Sequence, residues 1–261
     1  MKKEEAAKLL DLVMRMGIMM ILSGAETYRV EQTITYVLRA YGAFETSAYV
    51  ADTLLVVSFK PEREAEIMTA SWRVKNKGIN LEKVRRLNNL SYDISRKTLS
   101  LDEFRRRLDE IDAIKSYPLL VYVLSGSLIA FGFSLMFYLP LSDGIIIALL
   151  AAPVMFLYRC LSKVINDFFN YTVCSALATI LVLLFLQENV LHQFAYSLAS
   201  VLMPLMPGAL FTNGLRDVTM GDFTAGSNKL LETVLIGVAL AVGAAVVLLL
   251  FNMQTYYIGT R

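Results

Sequence analysis

The sequence predicts an α-helical polytopic membrane domain of about five transmembrane helices, one of them broken, preceded by a small α+β cytosolic domain. Three observations predict it. Hydrophobic residues make up 56% of the 261, and mean hydropathy is +0.53; a soluble domain is roughly half apolar and a quarter charged. Net charge is only +2, yet residues 1–116 carry 20 of the 25 Lys and Arg and 17 of the 23 Asp and Glu. Beyond that point the chain runs in apolar stretches near the ~20 residues that a hydrocarbon core of ~30 Å demands. The boundary places a cytosolic domain at 1–115 and a membrane domain at 116–261, each long enough to fold as a unit.

The first element, MKKEEAAKLLDLVMRMGIMMILSGA, has the outline of a signal peptide, but Glu4, Glu5, Asp11 and Arg15 interrupt its basic and apolar parts. Its apolar patch is too short to span a bilayer. Leu9, Val13, Met16 and Met20 instead share one face of an amphipathic helix. In the next segment, SGAETYRVEQTITYVLRAYGA, Ser23 and Glu26 have capping-box spacing and Gly42 marks the end. Between them Val30, Ile34, Val37 and Tyr41 form one face. Residues 44–59 alternate and are rich in β-branched and aromatic side chains, which predicts a hairpin turning at Ala51-Asp52; a third strand fits 66–74. Asn80 and Ser100 each precede a helical pattern as N-caps, the second with Glu103 in capping-box spacing. Helices on one face of an antiparallel sheet accommodate this order.

Glu26, Arg29 and Glu31, with Ser23 and Thr27, form a polar cluster on the second helix. On spacing alone it reads either as a site or as a helix cap with i,i+3 charge support. No nucleotide loop, His-Glu metal pattern or nucleophile elbow occurs, so the expectation is no cofactor, no metal and no catalytic residue. Cys160 and Cys174 lie in apolar surroundings without a second pair, as core or lipid-facing thiols do. The run Arg105-Arg106-Arg107 reads as a headgroup-facing anchor rather than a nucleic-acid contact.

Spans are predicted at 117–139, 144–161, 168–186, 194–215 and 230–251. Arg159, Lys163, Arg216 and Lys229 fall in loops on the side of the soluble domain, and the opposite loops hold no Lys or Arg. The soluble domain is therefore expected in the cytoplasm and the C-terminus, with Arg261, outside. His192 falls in an outer loop and reads as solvated. Small residues recur as Gly126, Ala130, Ser134 and as Gly237, Ala241, Ala245, a spacing that lets membrane helices approach closely.

The fourth span is interrupted by LMPGALFTNGLRDVTMGDFTAG, residues 205–226. Irregular backbone at membrane depth survives only when buried in protein or lining a wet cavity. With the break at Pro207-Gly208, a half-helix starting near Ala209 would turn its positive dipole end towards an anion. Thr212 and Asn213 then supply neutral hydrogen-bonding groups, and Arg216, Asp217 and Asp222 reach the cytoplasmic rim. A transport path fits these residues, and so does a proline kink followed by a charged interfacial loop.

Three stretches resemble the threonine/serine exporter family, specifically its half-length, YjjP-like members: SGAETYRVEQTITYVLRAYG; GINLEKVRRLNNLS with LSLDEFRRRLDEI; and MPGALFTNGLRDVTMGDFTAGSNKLLETVLIG. The resemblance keeps the order of motifs over nearly the whole chain. It implies an inner-membrane secondary exporter of threonine, serine or a dicarboxylate such as succinate. It also implies an oligomer with a separate short membrane subunit resembling YjjB, rather than an enzyme, although a hydrolase-like character has been suggested for the cytosolic domain. Carried over residue by residue, the family's first segment falls on Ser23, Gly24, Ala25, Glu26 and Thr27, with Arg29 and Glu31 behind it. Its second falls on Pro207, Gly208, Asn213, Arg216 and Asp217, followed by Gly221 and Asp222. Phe211-Thr212 departs from the family's more aliphatic pattern.

Overall fold

A computed structural model describes residues 2–51, 53–74, 78–115 and 117–251. The chain divides into two compact units, Met1–Ser116 with Leu210–Leu230, and Tyr117–Ala209 with Leu231–Arg261.

The first unit begins with α1 (Lys3–Leu22) and α2 (Thr27–Ala40). A three-stranded antiparallel sheet follows, β1 (Phe44–Ala51), β2 (Leu54–Lys60) and β3 (Met68–Arg73), in the order β1-β2-β3. Then come α3 (Leu81–Arg96) and α4 (Leu101–Asp112). This is the expected succession. The hairpin register pairs Ala51 with Leu54, while Asp52 of the expected turn lies outside the described residues. Period-2 alternation on β2 sends Leu55, Val57 and Phe59 into the core, where Leu9, Val13, Met16 and Met20 of α1 are fully buried. Trp72 stays exposed on β3. Gly17 marks the closest approach of α1, since a Cβ there would come within 2.8 Å of Ile34 and Leu55 side-chain atoms.

The capping box expected at Ser23 and Glu26 does not form. Helix α1 runs on to Leu22, and Ser23 closes it; Gly24 at φ +82° completes a Schellman turn through Gly24 N–H to Ile21 O and Ala25 N–H to Met20 O. Glu26, not Ser23, is the N-cap of α2, and its side chain makes no capping bond. A second Schellman turn at Gly42, φ +78°, ends α2 as expected. Asn80 and Ser100 cap as predicted, their side chains accepting from the Lys83 and Glu103 amides. Glu103 itself accepts from Arg106 and Arg107, and Arg107 also pairs with Asp93, so these two arginines of the basic run are engaged within their own unit.

The second unit contains α5 (Leu119–Met136), α6 (Leu141–Leu161), α7 (Asp167–Gln187), α8 (Phe194–Leu202) with a 3-10 turn Met203–Leu205, and most of α10 (Phe223–Leu250). Helix α9 (Gly208–Thr219) precedes α10. Among the described residues four helices are long and apolar enough to cross a membrane: α5, α6, α7 and α10. The count is five if the pair Phe194–Leu205 and Gly208–Thr219, bent by 67°, is one span. Helices cover each of the stretches predicted as spans, the last starting at Phe223 rather than near 230. Arg261 lies outside the described residues.

On α5 the buried residues are Gly126, Ala130 and Ser134, the predicted small-residue stripe. Met155 of α6 fills the notch at Gly126, where a Cβ would meet its Cγ at 2.6 Å. The stripe on α10 behaves differently: Gly237, Ala241 and Ala245 are exposed, and Ala239, Leu240, Gly243 and Val247 face inward instead. The close approach there is at Gly243, whose Cβ would stand 2.2 Å from Thr172 O on α7, beside a bond from Ser175 Oγ to Leu240 O of 2.6 Å. Both stripes obey the same i,i+4 spacing, so spacing alone does not say which face of a uniformly apolar helix turns inward.

His192 is not simply solvated. Its side chain is 61% exposed, but Nδ1 lies 2.9 Å from Oδ1 of the fully buried Asp143 on α6, and its backbone N–H donates to Oδ2 at 3.2 Å.

Candidate functional site

Helix α9 is amphipathic within the first unit. Asn213, Gly214, Asp217 and Val218 turn inward at i, i+1, i+4, i+5, whereas Phe211, Thr212, Leu215 and Arg216 are exposed along its other side. Gly221, at φ +92°, closes α9 with a third Schellman turn, through Gly221 N–H to Val218 O and Asp222 N–H to Asp217 O. The chain then reverses into α10, and Asp222 accepts from the Ala225 amide at 3.3 Å. Two glycines let α9 and the start of α10 touch: a Cβ on Gly226 would meet Val218 Cγ2 at 2.6 Å and Gly214 O at 2.8 Å. That contact brings Lys229 back alongside Asp217.

The inward face of α9 meets the junction between α1 and α2. The Asn213 amide donates to Gly24 O at 3.4 Å. Arg216 Nη1 donates to Glu26 Oε1, and Arg29 Nε donates to Glu26 Oε2 at 3.0 Å. Asp217, fully buried, accepts on Oδ2 from Thr27 Oγ1 at 3.0 Å and from Lys229 Nζ at 2.5 Å. Lys229 also reaches Thr27 Oγ1 at 3.1 Å. The other oxygen of Asp217, Oδ1, is buried and has no hydrogen-bond partner among the described residues. The two clusters singled out in the sequence thus converge, about 190 positions apart, as one network of alternating charge.

Not every expected residue joins it. Glu31 points the other way, accepting from the Val50 amide at 2.8 Å and so tying α2 to β1. Burial raises its carboxyl above the usual carboxylate range, with the charges of Asp222 and Asp217 adding to the rise and the Val50 bond opposing it. A cleft of about 490 Å³ opens beside it, lined in part by Tyr28, Gln32, Arg39 and Ser47. Ser23 contributes backbone, accepting from the Asn80 amide at 3.0 Å. Thr212 sits on the exposed side of α9. Pro207 and Gly208 stand at the break itself, with α9 starting at Gly208.

Lys229 is the member that sequence reasoning missed. It counted only as a loop cation, although its position twelve residues after Asp217, across a Gly221 turn flanked by Gly214 and Gly226, is the signal of a helical hairpin.

Chemically, the network presents two half-exposed guanidiniums, Arg29 and Arg216, around a single carboxylate position, with a buried Asp-Lys pair behind it. Two guanidiniums that each donate one N–H can hold a carboxylate by charge-assisted hydrogen bonds. No group of three or more His, Cys, Asp or Glu placed to hold a metal ion occurs among the described residues.

Over residues 11–251 the sequence matches the family described as "Putative threonine/serine exporter". A curated relative from Klebsiella aerogenes, "Probable succinate transporter subunit YjjP", is 20% identical over 259 residues, covering 97% of each chain. No solved structure matches.

Proposed function

Because the chain belongs to the threonine/serine exporter family, we propose that it is a multi-pass inner-membrane subunit of a secondary exporter for small carboxylate metabolites, either threonine and serine or a dicarboxylate such as succinate. It works with a short membrane subunit resembling YjjB, the first unit facing the cytoplasm and the C-terminus outside. Export is driven by an ion gradient, in keeping with a sequence without a phosphate-binding loop. The observation that carries this reading is the pairing of Arg29 and Arg216 on one carboxylate, Arg216 lying on the helix that follows the break in an apolar pair of helices. Two guanidiniums that each donate one N–H hold a carboxylate by charge-assisted bonds, and transporters often build substrate sites on discontinuous helices. Apolar side chains exposed along α5 to α7 and α10, among them Leu128, Leu149 and Leu249, are what lipid would cover. In this reading Thr212, Asn213, Arg216, Asp217 and Asp222 belong to the path that follows the break at Pro207-Gly208, and Glu26, Thr27 and Arg29 of the same compact unit close it.

The test is efflux of threonine, serine and succinate, measured in parallel from cells that express this chain alone and with the short subunit. Export that requires both chains supports the proposal. Export by this chain alone would overturn the two-subunit part, and no export of any of the three would overturn the substrate class. A second reading rests on the cleft beside Glu31, whose size suits a small metabolite: the first unit acts as a metabolite sensor or a membrane-anchored enzyme. Turnover of any of the three compounds by the purified full chain would favour the enzyme.

A further inference from the structure

We propose that Glu26 is an internal competitor for the substrate: its carboxylate occupies the seat on Arg29 and Arg216 that a substrate carboxylate takes during transport, so the site is closed at rest and opens by exchange. The inference rests on the reading that Arg216 binds a substrate carboxylate.

Three features carry it. First, Glu26 is misplaced as a helix-capping residue. N-caps favour short side chains that reach the N2 or N3 amide, and the Glu26 side chain makes no such bond. Its carboxylate is instead directed at two cations, accepting from Arg29 Nε on one oxygen and Arg216 Nη1 on the other. Second, the exposures are asymmetric: the Glu26 side chain is 11% exposed, while those of Arg29 and Arg216 are 42% and 43% exposed. The Glu26 side chain is largely enclosed, while the two arginine side chains are open to solvent over about two fifths of their surface. Each has five N–H donors, of which the described bonds to Glu26 use one. An arriving carboxylate can therefore bond to the other donors of Arg216 before Glu26 lets go, so the guanidinium keeps a partner throughout. Third, Glu26 follows the Gly24 turn at φ +82°, whose carbonyl accepts the Asn213 amide of the same helix that carries Arg216. Release of the carboxylate needs a side-chain rotation, while the backbone bonds joining the segments stay in place.

A self-occupied site lowers apparent affinity by the fraction of time it is open. If that fraction is about one tenth, removing the competitor tightens binding about tenfold. Binding of radiolabelled succinate and threonine to the purified full-length chain tests this with Glu26→Gln, Glu26→Asp and Arg216→Gln. Glu26→Gln keeps the shape and loses the charge. Glu26→Asp draws the carboxylate back by one methylene and guards against a folding defect in the first variant.

The expected result is about tenfold tighter binding in Glu26→Gln for whichever compound binds, a smaller gain in Glu26→Asp, and loss of binding in Arg216→Gln. Unchanged or weaker binding in both Glu26 variants, with Arg216→Gln still losing it, overturns the competitor while leaving the substrate site at Arg216 standing. Binding that survives Arg216→Gln, or binding to none of the proteins, overturns the site itself and the competitor with it.

Discussion

At the residue scale, the buried Asp217-Lys229 pair decides how the site holds its shape. Asp217 is fully buried and Lys229 nearly so, and Thr27 bonds to both. Removing one partner of such a pair leaves an uncompensated charge, at a cost of about 3–5 kcal/mol, whereas replacing both by apolar residues is close to neutral. Lys229→Met should lower the thermal unfolding midpoint of the purified chain markedly, and Asp217→Leu/Lys229→Met should recover most of the loss. Glu31 behaves oppositely. Its raised carboxyl means that the charged form is disfavoured on folding, a cost present at neutral pH and relieved as pH falls through the carboxylate range. Glu31→Gln keeps an acceptor for the Val50 amide, so its unfolding midpoint should exceed wild type at pH 7, and the difference should vanish near pH 4. The charges at 216 and 217 were legible in the sequence because they interrupt an apolar region. Their partners Glu26 and Thr27 were legible only as a separate cluster, since no local pattern encodes a contact across about 190 residues.

At the scale of elements, most starts and stops follow from single residues. Gly42 ends α2, and Asn80 and Ser100 begin α3 and α4, as their chemistry dictates. Ser23 misled because a Ser-x-x-Glu pattern suits either a helix start or the residues just past a helix end; Gly24 at positive φ decides for the latter. The small-residue stripe on α5 is buried and that on α10 is not, because a helix apolar on every side gives no moment to orient it. The α9-α10 hairpin depends on Gly226, where a side chain would strike Val218 and the Gly214 carbonyl. Gly226→Val should part the two helices, separate Lys229 from Asp217 and destabilise the chain by at least the 1–3 kcal/mol typical of overpacking. Gly237→Ala should change little in the isolated chain, as nothing lies within 4 Å of its missing Cβ.

At the scale of the whole molecule, segregated charge and apolar runs place one boundary near residue 116, whereas the two compact units are divided at three places, near residues 116, 210 and 230. What composition did not reveal is that Leu210–Leu230, which follow the break, belong with the charged unit. The reason is chemical: α9 carries Asn213, Arg216 and Asp217, whose partners all lie between Gly24 and Thr27 or on Lys229. The helix that follows the apolar segment is thus bonded, through Arg216, into the unit that holds Glu26 and Arg29. The most direct test is efflux of threonine, serine and succinate from cells expressing Arg216→Gln beside wild type, both with the short partner subunit and at matched membrane levels. Export falling to the level of cells without the transporter is the predicted result; export at the wild-type rate would contradict it.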